Sequence, residues 1–146
     1  MVSNSRINRT KSLSLEEFIL GIYSPNLCFL NLQYGDTRDE INNIKEKHNI
    51  NIINLEEVDK FNDIDNFAAL TNACDVVISI ENMLYALAGA LGIDSKILLT
   101  PNCNYLNGAE DLKSFWLQSQ DFFRKSSSDN WEEELSQIKK QITSHN

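Results

Sequence analysis

The chain has 146 residues, of which 42% are hydrophobic and 23% charged, enough for one globular domain with a buried core. Its formal net charge of −8 disfavours a nucleic-acid or anionic-membrane surface, because such surfaces need clustered Lys and Arg side chains. No apolar run approaches the roughly 18 residues of a membrane-spanning helix, and the first residues are polar, so we predict a cytoplasmic protein without a membrane span.

Helices and strands alternate along the chain. Capping boxes at Ser14 and Thr37, each with a Glu three residues later, mark two helix starts. This alternation predicts an α/β fold with a mostly parallel, Rossmann-like sheet and helices on both faces. The predicted elements are helix 14–23, strand 27–32, helix 37–48, strand 50–55, helix 67–73, strand 75–80, helix 82–91, strand 96–99, strand 121–124 and helix 131–142.

The three cysteines and two histidines are too scattered to predict a metal site. We expect Cys28, Cys74 and Cys103 to be buried, reduced thiols, because they are far apart and border apolar runs. Neither His48 nor His145 has Cys or His neighbours at ligand spacing. We therefore predict no metal, no cofactor and no catalytic histidine.

The principal candidate site is the junction where the third predicted strand meets the following helix. In parallel α/β sheets, free backbone N–H groups at such a junction bind anions. The amides of Asn82, Met83 and Leu84 are candidates to receive a phosphate, with added hydrogen bonds from Ser79 and Asn82. The alternative is purely structural, since every parallel α/β domain has such junctions. Glu81 would repel a phosphate unless it points away or holds a ribose.

Two loops add weaker signals. The long polar loop over residues 102–113 contains Tyr105, which could stack on a base or sugar ring or plug the end of the sheet. For the nearby Trp116 we favour core packing. The acidic stretch 56–65 is predicted to be a solvated loop, because its carboxylates lack calcium-loop spacing. Neither a P-loop nor a dinucleotide-binding glycine motif is present.

Several segments occur together in a specific order and spacing. They are LNLQYGD at 30–36, DIDNFAAL at 63–70, CDVVISIEN at 74–82, LAGALG at 87–92, SFW at 114–116, FFR at 122–124 and DNW at 129–131. Together they resemble the C-terminal domain of bacterial heptosyltransferase-like glycosyltransferases, in the variety often fused to tetratricopeptide repeats. The resemblance runs from about Lys11 to Ile142.

This resemblance implies one half of a GT-B fold, in which two Rossmann-like domains enclose the active site. Residues 13–143 would form the domain that binds a nucleoside diphosphate sugar, and residues 1–12 a disordered or remnant tail. Gln33, within the LQYGD segment, joins Ser79, Glu81, Asn82, Met83, Leu84 and Tyr105 as a predicted ligand-binding residue.

The chain departs from the family pattern at polar positions. The family's Asp-Thr-x-x-x-His motif, which holds the diphosphate, aligns with Glu81, Asn82 and Ala86. Its Trp-Arg-Trp cluster aligns with Tyr105, Leu106 and Asn107, written here as YLN. The resemblance therefore implies glycosyltransferase-like ancestry without a catalytic residue that we can assign.

Two parts of the family pattern have no counterpart here: the N-terminal acceptor domain and the first strand of the C-terminal domain. We therefore expect either direct pairing of strands 27–32 and 75–80, or a separately encoded N-terminal half or other partner that supplies a strand. The alternative function is a non-catalytic relic or interaction module that retains the fold. A receiver-like signalling domain is disfavoured, because Lys96 lies at a strand start and not in the last loop.

Overall fold

The computed structural model describes residues 13–108, 112–125 and 130–144, so the predicted tail at 1–12 lies outside the described residues. None of the helices in these ranges is long and apolar enough to cross a membrane. The elements are α1 (Leu15–Ile22), β1 (Phe29–Leu30), α2 (Arg38–His48), β2 (Ile52–Ile53), α3 (Ile64–Asn72), β3 (Val77–Ile80), α4 (Met83–Ala90), β4 (Ser95–Leu99), a 3-10 turn (Tyr105–Asn107), β5 (Gln120–Arg124) and α5 (Glu132–Thr143).

All strand pairs of the named elements are parallel: β1 with β2, β3 with β4, and β4 with β5. The predicted α/β, Rossmann-like fold with a mostly parallel sheet is therefore confirmed. The described strands nevertheless form two sheets, β1-β2 and β3-β4-β5, with no hydrogen-bonded ladder between them. Of the two arrangements expected from the sequence, direct pairing of β1 with β3 is wrong.

Both β1 and β3 have an outer edge that faces away from the strand with which each one pairs. The Asn31 amide donates to the Ile53 carbonyl in β2, and the Val77 amide donates to the Asp94 carbonyl beside β4. Because successive residues of a strand direct their backbone groups to opposite sides, Leu30 and Ile78 direct theirs away from β2 and β4. The described residues supply no strand to either edge.

One buried cluster nevertheless joins the two sheets. Ile22 of α1 and Ile138 of α5 form its centre, and Phe29 of β1 and Ile78 of β3 both pack against it. On the other face of β3, Val77 packs with Ala88 of α4, so this sheet carries helices on both faces. The two sheets therefore share a core although they share no ladder.

Helix α1 approaches α5 closely at Gly21. A Cβ atom at Gly21 would lie 2.6 Å from Leu135 Cδ1 and 2.8 Å from Leu135 Cβ. Since Leu135 is only 1% exposed, its side chain has no free space into which to move. Glycine at this position is therefore required for the α1–α5 packing.

The two predicted capping boxes differ in outcome. The Glu17 amide donates to Ser14 Oγ at 3.1 Å, which confirms the cap of α1. Thr37 precedes α2, but its side chain makes no capping hydrogen bond. Its Oγ1 accepts from Asn31 Nδ2 at 2.8 Å, so a tertiary contact has taken the place of the predicted cap.

Candidate functional site

The parallel arrangement brings the carboxyl ends of the strands of each sheet to one edge. The loops that leave this edge are residues 31–37 after β1, 54–63 after β2, 81–82 after β3 and 100–108 after β4. In parallel α/β folds, ligands bind in the crevice at this edge. All seven predicted ligand-binding residues lie in or next to these loops.

At the start of α4, the predicted polar side chains bond to each other and to the helix. Asn82 Oδ1 accepts from the Tyr85 amide at 3.2 Å and therefore caps α4 itself. The Ser79 hydroxyl lies 3.0 Å from the same oxygen and 2.9 Å from the last β3 carbonyl. Met83 is 43% exposed, whereas Leu84 is half-buried and packs against the Val77–Ala88 cluster. Because these contacts use Asn82 Oδ1 and the Ser79 hydroxyl, the donors left for a phosphate at this junction are backbone amides and Asn82 Nδ2.

Glu81 holds the 3-10 turn across the carboxyl edge. Its Oε1 accepts from the Asn104 amide and from Asn107 Nδ2, both at 2.8 Å. Asn107 is buried and also receives hydrogen bonds from the Tyr85 hydroxyl at 2.7 Å and from Arg124 at its carbonyl. Burial raises the pKa of Tyr85, which keeps its hydroxyl protonated as a donor. Glu81 thus binds the protein's own turn.

The turn carries Tyr105 into solvent, where the side chain is 87% exposed. The sequence was compatible with a ring that stacks on a ligand or with one that packs against the end of the sheet. The exposure of the ring excludes packing against the sheet. Trp116 is 67% exposed and packs edge-on against Phe115, so its predicted core position is wrong. It lies in the loop before β5, in which the neighbouring Leu117 lies close to Gly89 of α4.

A cavity of about 360 Å³ lies at the carboxyl ends of β1 and β2, between residues 33–38 and 54–61. Of the predicted ligand-binding residues, Gln33 lines this cavity, and the other six lie along the β3 and β4 ends of the edge. Gln33 and the α4 start therefore lie at different places along the edge.

The stretch 56–65, predicted to be a solvated loop, forms one wall of the cavity as far as Phe61. The predicted end of this loop at residue 65 is wrong, because α3 begins at Ile64.

Charged and amide side chains are organised around this cavity. Arg38 donates to both carboxylate oxygens of Asp36, at 3.0 and 2.8 Å, and this lowers the pKa of Asp36 to about 2. Lys60 Nζ donates to Asn54 Oδ1 at 3.0 Å, an oxygen that also accepts from Asn31 Nδ2. Burial lowers the pKa of Lys60.

The sequence analysis did not identify Lys60 as a candidate site residue, because only one weak feature of the sequence points to it. It is the one basic residue in the acidic stretch 56–65. A lone cation among carboxylates usually lies in solvent, yet Lys60 is 8% exposed. The aromatic pair Tyr34 and Phe61 at the cavity rim was also missed, because the two residues are far apart in the chain.

The structure also corrects the expectation that the three cysteines are buried. Cys28 lies just before β1 and is exposed, and Cys74 and Cys103 are half-buried, so the prediction of buried thiols is wrong. All three are free thiols. Across residues 13–108, 112–125 and 130–144, no three His, Cys, Asp or Glu side chains come together as metal ligands.

Comparison with known proteins finds a similarity to part of one protein. The chain is 42% identical over 71 residues to Protein FlbA of Caulobacter vibrioides. The match covers 49% of this chain but only 12% of that protein's length. No protein-family model and no solved structure matches the chain. The chain is thus similar to a segment of FlbA over about half of its own length.

Proposed function

We propose that this chain is the nucleotide-sugar-binding half of a GT-B glycosyltransferase-like protein and has no transferase activity alone. The observation that carries the proposal is the cavity of about 360 Å³ beside Gln33, at the carboxyl ends of parallel strands. Its position is that of ligand sites in parallel α/β folds, and its volume suits a small molecule. The resemblance over Lys11–Ile142 supplies the ligand class, a nucleoside diphosphate sugar.

The proposal includes a reducing compartment. Three free thiols in one chain, one of them exposed, suit the cytoplasm better than an oxidising environment, where exposed thiols form disulfides. A cytoplasmic location is also where nucleoside diphosphate sugars would meet the domain.

A partner strand is the second part of the proposal. A separately encoded N-terminal half, or another strand-supplying chain, would place a parallel strand between β1 and β3. The support is that Leu30 and Ile78 direct their backbone donors and acceptors away from their own sheets, while Phe29 and Ile78 pack on one cluster. Unsatisfied strand edges of this kind favour pairing with another strand.

Hydrogen exchange tests whether these edges are open in the free chain. We expect the amides of Leu30 and Ile78 to exchange at least about tenfold faster than those of Asn31 and Val77. Each pair contains its own control, because the neighbouring amide lies in the same strand or directly after it and donates to the adjacent strand or its flank. Equal protection within each pair, measured by NMR, would show that the edges are already satisfied and that no strand is needed.

Thermal denaturation with ligands tests the binding function. Uridine, guanosine and adenosine diphosphates and their sugar derivatives are compared with the corresponding nucleosides. A ligand at a hundred times its dissociation constant should stabilise the fold by roughly 2.7 kcal/mol and raise the melting temperature. Replacing the exposed Gln33 by Leu should weaken the shift without lowering the melting temperature of the free chain. The absence of a shift with every diphosphate would exclude the proposal.

The alternative, a non-catalytic interaction module, is favoured by one specific observation. Glu81 places a carboxylate at the start of α4 and commits it to Asn104 and Asn107. An anionic ligand at this junction would have to overcome its charge. The substitution Ala86→His separates the two functions, since position 86 is exposed on α4. It should strengthen diphosphate binding in a donor-binding domain and change nothing in an interaction module.

A further inference from the structure

The charges around the cavity at β1 and β2 are unevenly paired. Its lining contains three carboxylates and two cations. Asp36 is paired with Arg38, whose Nε also lies 3.9 Å from Glu56. Asp59 accepts hydrogen bonds from two backbone amides and from an Asn side chain within its own turn. Burial lowers the pKa of Lys60, and the charge of Glu56 opposes this shift, but the two groups form no ion pair within 4.0 Å.

Lys60 is a buried cation that takes part in none of these ion pairs. It is 8% exposed, and no carboxylate oxygen of the described residues lies within 4.0 Å of its Nζ. An ammonium group has three donors, and the described contacts use one of them, to the neutral oxygen of Asn54. Burying a charge is unfavourable unless an opposite charge or several hydrogen bonds compensate. An anion at Nζ would supply both.

The cavity rim offers apolar surface at the same place. The rings of Tyr34 and Phe61 lie 6.0 Å apart at an interplanar angle of 48°. They are 59% and 65% exposed, although aromatic side chains of this size are usually more buried. Aromatic faces of this kind pack against sugar or planar rings. Phe61 directly follows Lys60, so the apolar rim and the cation lie on one wall.

We propose that this cavity binds a small organic oxyanion, a phosphate ester or a carboxylate of sugar size, whose anionic group pairs with Lys60 while its body lies against Tyr34 and Phe61. The cavity is the one on which the proposed function rests, but this binding does not depend on that function, because it needs neither a nucleoside nor a diphosphate. It is also separate from the α4 start, where Glu81 and Asn82 bond to the protein itself. Lys60 is assigned to ligand binding and to no chemical step.

Calorimetric titration with four probes tests the proposal. Glucose 6-phosphate and glucuronate carry the two forms of anionic group, glucose is the neutral analogue, and inorganic phosphate lacks the organic body. We expect one of the two anionic sugars to bind at least about tenfold more tightly than glucose and than inorganic phosphate. The better of the two identifies the phosphate or the carboxylate as the preferred group. The advantage over glucose should shrink as salt is added.

Two variants locate the binding. Lys60→Gln keeps an N–H donor for Asn54 but removes the charge, and it should weaken the anionic sugar at least about tenfold. Lys45→Gln removes an exposed lysine from α2 and is the matched control, expected to leave binding unchanged. Lys60→Met is a second neutral variant. Both Lys60 variants should keep or raise the melting temperature of the free chain, because each removes a buried charge.

The outcomes separate this inference from the proposed function. Equal binding of the anionic sugars by wild type and by Lys60→Gln would overturn the inference, as would equal binding of glucose or a lack of binding by every anionic probe. If nucleoside diphosphate sugars raise the melting temperature of the wild type but the anionic sugars bind wild type and Lys60→Gln alike, the inference fails and the proposed function stands. If an anionic sugar binds through Lys60 but no nucleoside diphosphate binds, the inference stands and the proposed function fails.

Discussion

Replacing Ile138 by alanine should lower the free energy of unfolding by about 2 to 5 kcal/mol. Ile138 is fully buried at the centre of the cluster that receives Phe29 from one sheet and Ile78 from the other. Its loss removes apolar burial and leaves a cavity that packed neighbours fill only in part. Urea denaturation followed by far-ultraviolet circular dichroism measures the change.

The control is Ser136→Ala, two residues earlier on the exposed side of α5, which should change the free energy of unfolding by less than about 0.5 kcal/mol. Because the two sheets share the Ile138 cluster, we expect a single unfolding transition in both variants. Two resolved transitions would show that β1-β2 and β3-β4-β5 unfold independently, contrary to a shared core. A loss below about 1 kcal/mol for Ile138→Ala would contradict its central position.

The substitution Gly21→Val should lower the free energy of unfolding by about 3 kcal/mol through overpacking. Even the first carbon of a side chain at position 21 would lie 2.6 to 2.8 Å from Leu135, so α1 and α5 must separate. Valine has a better intrinsic helix propensity than glycine by a few tenths of a kcal/mol, which is too little to compensate. The same denaturation experiment measures the effect.

Leu20→Val is the matched control for this substitution, since it introduces the same side chain one residue earlier, where the leucine is 45% exposed. It should cost less than about 1 kcal/mol. A Gly21→Val protein as stable as the control would mean that α1 and α5 are farther apart than described.

Local patterns were sufficient to predict the fold class and the order of the elements. The cap at Ser14 depends on residues three apart, and the alternation of helices and strands depends on short apolar periods. These patterns gave wrong predictions where a residue outside the local pattern takes the hydrogen bond that the pattern predicts. Thr37 has the sequence of a cap, but Asn31 six residues earlier donates to its hydroxyl. The ladder of β1 stops at Leu30, one residue before Asn31, although the apolar run suggested a longer strand.

Local sequence patterns were even less able to predict the candidate site, because its residues come from distant parts of the chain. Gln33 lies at the carboxyl edge, directly after its predicted strand, but its cavity forms between two loops about 20 residues apart, so no single segment indicates it. The buried position of Lys60 depends on Asn54, and Asn54 in turn contacts Asn31, 23 residues earlier. The α4 start looked open because nothing in the segment around Glu81 shows that a turn 23 residues later would bind it.

The double contact of Glu81 has an evolutionary consequence. One carboxylate oxygen holds the turn at two points, the Asn104 amide and the Asn107 side chain. A single codon change at position 81 would therefore release both contacts in one step. Glu81 belongs to none of the buried apolar clusters, so a lineage could lose these two contacts without repacking the interior, while Tyr85 and Arg124 would still hold Asn107.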